Sequence, residues 1–365
     1  MLVDLVIVAT KALFAFIFVL GIAGLLTWVE RKQSAIMQDR IGANRASIFG
    51  IRILGLFHPI ADALKSLTKE DFVPKKGNRI VFQLAPALAI VPSLITFAVI
   101  PFGDNIHVLG REVSLRVSDM NAGIIYIFAI SSLGVYGVAL AGWSSDNRYS
   151  LLGSLRATAQ MFSYEVVLGL TVIGVLMIYQ TIDLNEIVRA QEGYWFGFIP
   201  RWGVFLQPLG FILYLTAAIA ETKRIPFDMP EAESEIVAGY FTEYSGMKYA
   251  GFLFSEFCEM VLVAGLTATL FFGGWQLPFN ASVGLYLPFF GNIDISPLGT
   301  TLLQGLTFTI KIAFFIWLLM LIRWTLPRFR YDQVMNLGWK MLLPLSLANI
   351  VCTGILILIH DHIFM

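Results

Sequence analysis

Carboxylates crowd a short stretch of the chain, between two segments that are apolar enough to cross a bilayer. Four acids fall within eight residues and two more flank them: Asp228, Glu231, Glu233 and Glu235, with Glu221 and Glu243 on either side. Ionisable groups beside hydrocarbon are costly, so where they occur they indicate a proton or ion path or a polar ligand site. The stretch therefore predicts part of a machine that moves charge.

Three further carboxylates lie inside apolar segments. Glu165 falls well within one of them, where it must face protein or water, and either a functional role or a structural hydrogen bond would explain it. Glu256 and Glu259 are three residues apart on one helical face, so they form a candidate pair with coupled titration. Glu259 could instead pair with a base such as Lys311 in the next apolar segment. Glu256 is therefore the stronger functional candidate.

The acidic stretch also has a helical pattern. Asp228 followed by Glu231 matches a helix-capping arrangement, and Gly239 is a candidate helix stop. Glu231 and Glu235 are four residues apart, so on a helix they would share a face and their repulsion would favour keeping a proton on one of them. The alternative is a solvated surface loop. Interleaved apolar residues favour a packed segment: Phe227, Ile236, Val237, Tyr240 and Phe241.

The composition excludes several classes of protein. An apolar content of 57% and a mean hydropathy of +0.76 exceed what an aqueous fold needs, and a net charge of zero predicts no nucleic-acid partner. The two cysteines and four histidines are scattered, without CxxC or HExxH spacing, so we expect no metal or iron–sulfur cluster in this chain. Walker and GxGxxG patterns are also absent from the sequence, so it predicts no nucleotide binding by this chain.

Eight segments have the length and apolarity of membrane-spanning helices, which need about 20 residues each. They cover residues 8–29, 80–101, 121–143, 158–180, 203–221, 249–272, 301–324 and 340–360. The sequence thus predicts an all-α, polytopic membrane protein that forms a single domain over residues 1–365. The first segment is too long for a signal peptide and lacks its cleavage site, so we expect it to remain a helix.

Lys and Arg concentrate in the odd-numbered loops between these segments. By the positive-inside bias, those loops face the cytoplasm and both termini lie on the opposite side. The first loop, residues 30–79, and the acidic fifth loop, residues 222–248, are therefore both predicted to be cytoplasmic. Apolar residues at helical spacing between Ile51 and Leu67 predict an amphipathic helix in the membrane interface, with Pro59 near its start or at a kink.

The basic residues of the first loop have two interpretations. They could simply bind anionic lipid headgroups, which is the stronger explanation for Lys75 and Lys76. Arg31 and Arg40 are neighbours of Glu30 and Asp39 in the sequence, and ion pairs at the rim of a cavity are the alternative for them.

Several stretches resemble the membrane subunit called H of bacterial NADH:quinone oxidoreductase, equivalent to the first mitochondrially encoded subunit of respiratory complex I. The two most specific stretches are Gly55 through Glu70 and Pro226 through Gly239, supported by Val29–Lys32, Arg40–Arg45 and Tyr149–Arg156. The similarity extends along nearly the entire chain. It implies a helical subunit at the joint between the peripheral and membrane arms of a multisubunit complex in the bacterial inner membrane.

The resemblance also implies roles for individual residues. A file of carboxylates would carry protons: Glu165, Glu221, Glu231, Glu233, Glu235, Glu243 and Glu256. A chamber for ubiquinone or menaquinone would be bordered by Arg31, Arg40, Asp62, Lys65, Phe227 and Asp228. Quinone would be a substrate, with no cofactor bound by this chain alone. The implied partners are peripheral subunits with the quinone-reduction site and iron–sulfur clusters, antiporter-like and small membrane subunits, and lipid.

Three departures from the family pattern limit these assignments. His58 stands where the motif usually has glutamine, and Ala43 replaces a usual proline. Some relatives have a carboxylate near Ser132, so here the file must do without it or use a water held by Ser131, Ser132 or Tyr136.

Other functions remain open at this point. The anchor subunit of a membrane-bound hydrogenase is related to the same family, and a nickel-binding partner would identify it. A secondary ion transporter would also use buried carboxylates, but the strongest polar segments lie at one side of the membrane and no paired halves are evident. A purely structural anchor would use the basic first loop and the acidic fifth loop as docking surfaces.

Overall fold

The computed structural model describes residues 2–108, 111–195, 199–230, 233–277, 285–287, 291–293 and 296–364. Its helices are α1 (Leu2–Met37), α2 (His58–Thr68), α3 (Arg79–Ile95), α4 (Gly123–Ser131), α5 (Leu133–Ser144), α6 (Arg148–Tyr179), α7 (Leu184–Ala190), α8 (Gly203–Leu206), α9 (Pro208–Glu221), α10 (Glu233–Ile236), α11 (Gly246–Phe271), α12 (Pro297–Thr325), α13 (Tyr331–Asn336) and α14 (Leu343–Phe364). A π-helix, Leu337–Leu342, joins the last two, and 3₁₀ helices cover Thr96–Val99 and Gly239–Phe241.

Short antiparallel hairpins are the β structure of the described residues. They pair β1 (Ile106–Val108) with β2 (Arg111–Val113), β3 (Tyr194–Trp195) with β4 (Ile199–Pro200), and β5 (Leu285–Leu287) with β6 (Gly291–Ile293). Each hairpin lies in a connection between long helices, so none of them contributes a layer to the fold. The architecture is all-α, as predicted.

Seven helical stretches within the described residues are long and apolar enough to cross a membrane. They are Val3–Met37, Arg79–Val99, Gly123–Ser144, Arg148–Tyr179, Gly246–Phe271, Leu298–Thr325 and Tyr331–His362. Large apolar side chains remain exposed along the outer helices, which suits lipid contact, for example Leu13 on α1, Leu302 on α12 and Leu358 on α14. The chain is a multi-pass membrane protein, which confirms the predicted class.

The fifth predicted span, residues 203–221, is wrong as one long helix. The structure divides it at Gln207 into α8 and α9, with Pro208 at the start of α9. Proline has no N–H to donate and fixes its own φ, so it begins a helix more readily than it continues one. The 14 residues of α9 span roughly 21 Å, which is shorter than the hydrocarbon core of a bilayer.

Helix α11 forms the centre of the bundle. All its residues from Met260 to Phe271 are buried, and it packs on α1, α3 and α12. Helix α6 packs on α5, α9 and α14. The space where α3, α5, α6, α9 and α11 approach each other is therefore enclosed by helices on all sides, and it contains the polar side chains described next.

Candidate functional site

The acidic loop between α9 and α11 packs into the bundle instead of extending into solvent. Phe227, Ile236, Tyr240 and Phe241 are buried, whereas Val237 is exposed. The interleaved apolar residues thus indicated a packed segment correctly for four of the five positions, and the alternative of a solvated loop is wrong.

Two glycines allow this close approach. Gly239 has a φ of +52°, and a Cβ there would collide with the carbonyl oxygen of Pro230. A Cβ on Gly153 of α6 would lie 2.6 Å from the Cα of Gly239. The loop therefore reaches the surface of α6 because neither position carries a side chain.

Asp228 is not the cap of a helix that begins at the next residue. The structure has a non-helical backbone at Met229 and Pro230, and the helix of this loop, α10, begins at Glu233. Pro230 is one physical reason, since the residue before a proline is disfavoured in the α conformation. Asp228 is nevertheless buried, with 8% of its surface exposed.

The Phe227 ring anchors the start of the loop. Its centroid lies 5.6 Å from the ring of Tyr164 on α6 and 5.5 Å from the ring of Phe329. The side-chain amide of the buried Gln160 donates to the carbonyl oxygens of Ala220, at 2.7 Å, and of Phe227, at 2.8 Å. The end of α9 and the start of the loop are therefore both fixed to α6.

A cavity of about 30 Å³ lies between α3, α4, α6, α9 and α11. This is room for one or two water molecules, since one water needs roughly 10–15 Å³ measured this way. Its lining is largely apolar but includes two carboxylates, Glu221 and Glu259, and two hydroxyls, Ser93 and Ser131. A water held here has polar partners on several helices.

Glu165 approaches this region from α6. It forms a side-chain hydrogen bond with Ser132, and it is close enough to Glu221 for their charges to interact. Ser132 is the residue at which the third span is interrupted, between α4 and α5. Its hydroxyl also donates to the carbonyl oxygens of Phe128, at 3.0 Å, and Ala129, at 3.1 Å.

Glu259 is paired with Lys223, which follows α9, and not with Lys311. The Lys223 Nζ lies 3.1 Å from Glu259 Oε2 and 3.4 Å from Oε1, and the Ser255 hydroxyl donates to Oε1 at 3.2 Å. The predicted alternative partner, Lys311, instead donates to the carbonyl oxygens of Phe272, Gly274 and Gln276. That prediction is wrong because the end of α11 turns back and presents its carbonyls to α12.

The other acids of the predicted file have separate partners. Buried Glu256 lies 3.5 Å from the Tyr240 hydroxyl, Glu235 pairs with Arg156 at 2.5 Å, and Glu243 accepts from the Asn147 amide at 2.8 Å. Glu231 lies outside the described residues, as does the side chain of Glu233. The structure thus brings Glu165, Glu221 and Glu259 together and places Glu235 and Glu243 at the loop.

An aromatic group holds the second half of the loop. Tyr244 stacks on Phe82 with ring centroids 4.0 Å apart and donates to the Phe82 carbonyl oxygen at 3.3 Å. Burial raises the pKa of Tyr244 to about 12, so its hydroxyl stays protonated at neutral pH and remains a donor. The residues around Glu256 and Glu243 are therefore held by α3.

The residues predicted for a quinone chamber divide into two groups. Arg31 pairs with Asp62 at 2.8 Å, while Lys65 and Arg40 are exposed. Arg40 contacts Gln38 and Ser34 rather than Asp39. The His58 Nδ1 lies 2.8 Å from the carbonyl oxygen of Gly55, next to these groups in the chain. Phe227 and Asp228 are buried at the start of the acidic loop.

Glu30 connects these two groups. Its carboxylate pairs with Arg224, at 3.1 Å, and with Arg323 of α12. The expectation that Arg31 pairs with its neighbour Glu30 is therefore wrong, because consecutive residues of a helix point in different directions. Arg224 also lies over the Phe257 ring, 4.4 Å from its centroid.

Two residues of the site were not singled out from the sequence as members of the file, Lys223 and Glu259. A base directly after an apolar segment normally indicates contact with headgroups, so Lys223 gave no signal of its own burial. The signal for Glu259 was present, since an acid inside a span must have a partner, but the sequence does not specify which base supplies it. Among the described residues, no three His, Cys, Asp or Glu side chains are grouped to hold a metal ion.

Comparison with known proteins identifies the family. A family model described as NADH dehydrogenase matches residues 10–354. The chain belongs to the NADH dehydrogenase family. Its relatives in this family include H subunits of NADH-quinone oxidoreductase from several bacteria. The one numbered 1 from Cytophaga hutchinsonii is 43% identical over 94% of each chain. The one numbered 2 from Rhizobium meliloti is 46% identical over 90% of this chain and 91% of its own. The one numbered 1 from Geobacter metallireducens is 44% identical over 98% of each.

Proposed function

We propose that this chain is the membrane subunit of a proton-pumping NADH:quinone oxidoreductase that shapes the quinone chamber and couples quinone reduction to proton movement. The chain is not catalytic in isolation. Its substrate-side partners would be the peripheral subunits that carry the quinone-reduction site and iron–sulfur clusters. Antiporter-like and small membrane subunits would continue the proton path. We place the complex in the bacterial inner membrane, with both termini on the non-cytoplasmic side.

The cavity carries the proposal for the proton path. Glu221 lines a space that can hold water, and the charges of Glu165 and Glu259 act on it from neighbouring helices. Like charges that are close together titrate as a set, so a proton that binds to one changes the proton affinity of the others. A change at the acidic loop can therefore pass into the membrane helices without a large rigid-body motion.

The ion pair between Arg31 and Asp62 supports the chamber. It lies beside α2, none of whose residues is buried. Glu30, the neighbour of Arg31 on α1, is in turn linked to Arg224, three residues before Phe227. A change in charge during quinone reduction has a short route from this region to the acidic loop.

The experiment uses the assembled complex in proteoliposomes. Glu165→Gln and Glu221→Gln keep the side-chain shape but remove the titratable groups, so we expect NADH-driven proton uptake to fall about tenfold or more. Asp62→Asn should instead raise the apparent KM for short-chain quinones without loss of assembly. Normal proton uptake and normal quinone reduction by both glutamine variants would falsify the relay.

A hydrogenase anchor is distinguished by the subunits that copurify. Purification of the tagged chain from its own host should recover soluble iron–sulfur subunits and NADH-dependent quinone reduction. Recovery of a nickel-containing protein instead would assign the chain to a hydrogenase. Solute exchange by proteoliposomes that contain this chain alone would assign it to a transporter.

A further inference from the structure

Glu259 is a carboxylate of the central helix that the predicted file does not include. It lines the same cavity as Glu221, with Ser93 and Ser131 on the opposing helices. It also lies three residues after Glu256 on α11, which places their Cβ atoms about 5–6 Å apart. Glu259 therefore lies between the cavity and Glu256.

The partner of Glu259 is itself deeply buried. The side chain of Lys223 is 2% exposed and that of Glu259 is 17% exposed, and the two are joined by contacts of 3.1 and 3.4 Å. Removing two charges from water costs several kcal/mol per ion, which their mutual attraction only partly recovers, so a buried pair is weak evidence of a stabilising role. Apolar side chains would form a structural anchor at a smaller cost in free energy. The location beside a cavity gives this pair a chemical use.

We propose that Glu259 carries protons between Glu221 and Glu256, with Lys223 as its counter-charge. The inference rests on the proposed function and adds one residue to its proton path. In one step, the Glu221 carboxylic acid gives its proton to a water in the cavity, and that water gives a different proton to the Glu259 carboxylate. Glu221 becomes the anion and Glu259 becomes neutral, so the total charge is unchanged and Lys223 keeps its proton. Glu259 then passes its proton on to Glu256, directly or through one water.

The charged groups around Glu259 fit this step. Lys223 supplies the positive charge, and Glu221 supplies the negative charge from the end of α9. Glu165 interacts with Glu221 from α6, and the Ser255 hydroxyl donates to Glu259 at 3.2 Å. A proton that leaves Glu221 thus has a neighbouring anion to receive it, and the cation beside that anion can then interact with Glu221.

The test compares variants of the whole complex reconstituted in proteoliposomes. Glu259→Gln alone would leave Lys223 buried without its partner, so the informative variant combines Glu259→Gln with Lys223→Met, which removes both charges. We expect this double variant to assemble and to reduce proton uptake per quinone reduced by about tenfold or more. Glu192→Gln removes an exposed carboxylate and should behave as the wild type.

Each other outcome decides the matter. Normal proton uptake by the double variant, or its failure to assemble, would assign the pair a structural role and overturn the inference. Glu221→Gln is measured beside it to separate this result from the proposed function. If Glu221→Gln is impaired while the double variant is normal, only the role of Glu259 fails. If both pump normally, the proton path itself fails.

Discussion

The guanidinium of Arg31 lies 2.8 Å from the carboxylate of Asp62 and ties the last third of α1 to α2. The two side chains keep 48% and 36% of their surface, so water and a polar ligand can reach both. Helix α2 lies on the outside of the bundle with apolar residues exposed, including Ile60, Leu64 and Leu67. The ion pair thus orients a helix whose apolar face suits a membrane interface.

Reversing the charges of this pair should affect quinone access more than stability. Exposed ion pairs contribute about 0–1 kcal/mol, so Arg31→Asp or Asp62→Arg should change the apparent KM for a short-chain quinone by roughly fivefold or less. The double reversal restores an opposite-charge pair and should recover most of the wild-type KM. Steady-state quinone reduction by the assembled complex measures this. Equal impairment of the single and double variants would show that the pairing itself is not what matters, and Lys75→Asp serves as the control.

Gly239→Ala should loosen the acidic loop from α6. The substitution places a methyl group against the Pro230 carbonyl oxygen and imposes a φ of +52° on a residue with a side chain. The conformational strain alone costs about 1 kcal/mol, and the collision adds to it. We expect a lower temperature of thermal inactivation of the purified complex.

Gly50→Ala is the matched control for this variant. Gly50 also has a positive φ, +80°, but a Cβ there meets no atom within 4 Å. It therefore tests the strain without the collision. If Gly50→Ala and Gly239→Ala destabilise the complex equally, the close approach between the loop and α6 contributes nothing.

Lys311→Met should destabilise the junction between α11 and α12. The Lys311 ammonium satisfies three carbonyl oxygens after the end of α11, at 2.7 to 3.0 Å, and lies 5.2 Å from the centroid of the Trp202 ring. Losing hydrogen bonds to a charged donor leaves these carbonyls without their partner, at a cost of about 3 kcal/mol or more. The yield of assembled complex and its inactivation temperature measure the effect. Lys340→Met removes an exposed lysine and should change neither.

Sequence patterns predicted the elements better than their ends and partners. Hydropathy identified the long spans because each needs many consecutive apolar residues. It placed the end of the first span at residue 29, whereas α1 continues to Met37, since polar residues can continue a helix beyond the membrane. Apolar periodicity and Pro59 predicted α2, and Pro59 lies at its beginning.

The partners of the acids depended on tertiary structure. The acids in the spans were evident from the cost of charge in hydrocarbon, but Lys223 and Ser132 reach Glu259 and Glu165 from other helices. Such distances follow from how helices pack and not from local spacing. The interruption of the third span at Ser132 was also not indicated, because Ser131 and Ser132 are compatible with a continuous helix whose hydroxyls bond back to preceding carbonyls.

Exchanging the residues of the Glu165 and Ser132 pair tests whether position or chain context matters for the carboxylate. The two side chains hydrogen-bond each other across α6 and the junction of α4 with α5, so a carboxylate from either side can occupy the same space. Glu165→Ser should lower proton uptake by the reconstituted complex about tenfold or more. Adding Ser132→Glu to it returns a carboxylate to this location, and we expect a large part of the uptake to recover. Ser131→Glu is the matched control, because Ser131 lines the cavity one residue away on the helix. Equal recovery with either serine position would mean that any carboxylate near the cavity suffices, and recovery with neither would mean that Glu165 acts only from α6.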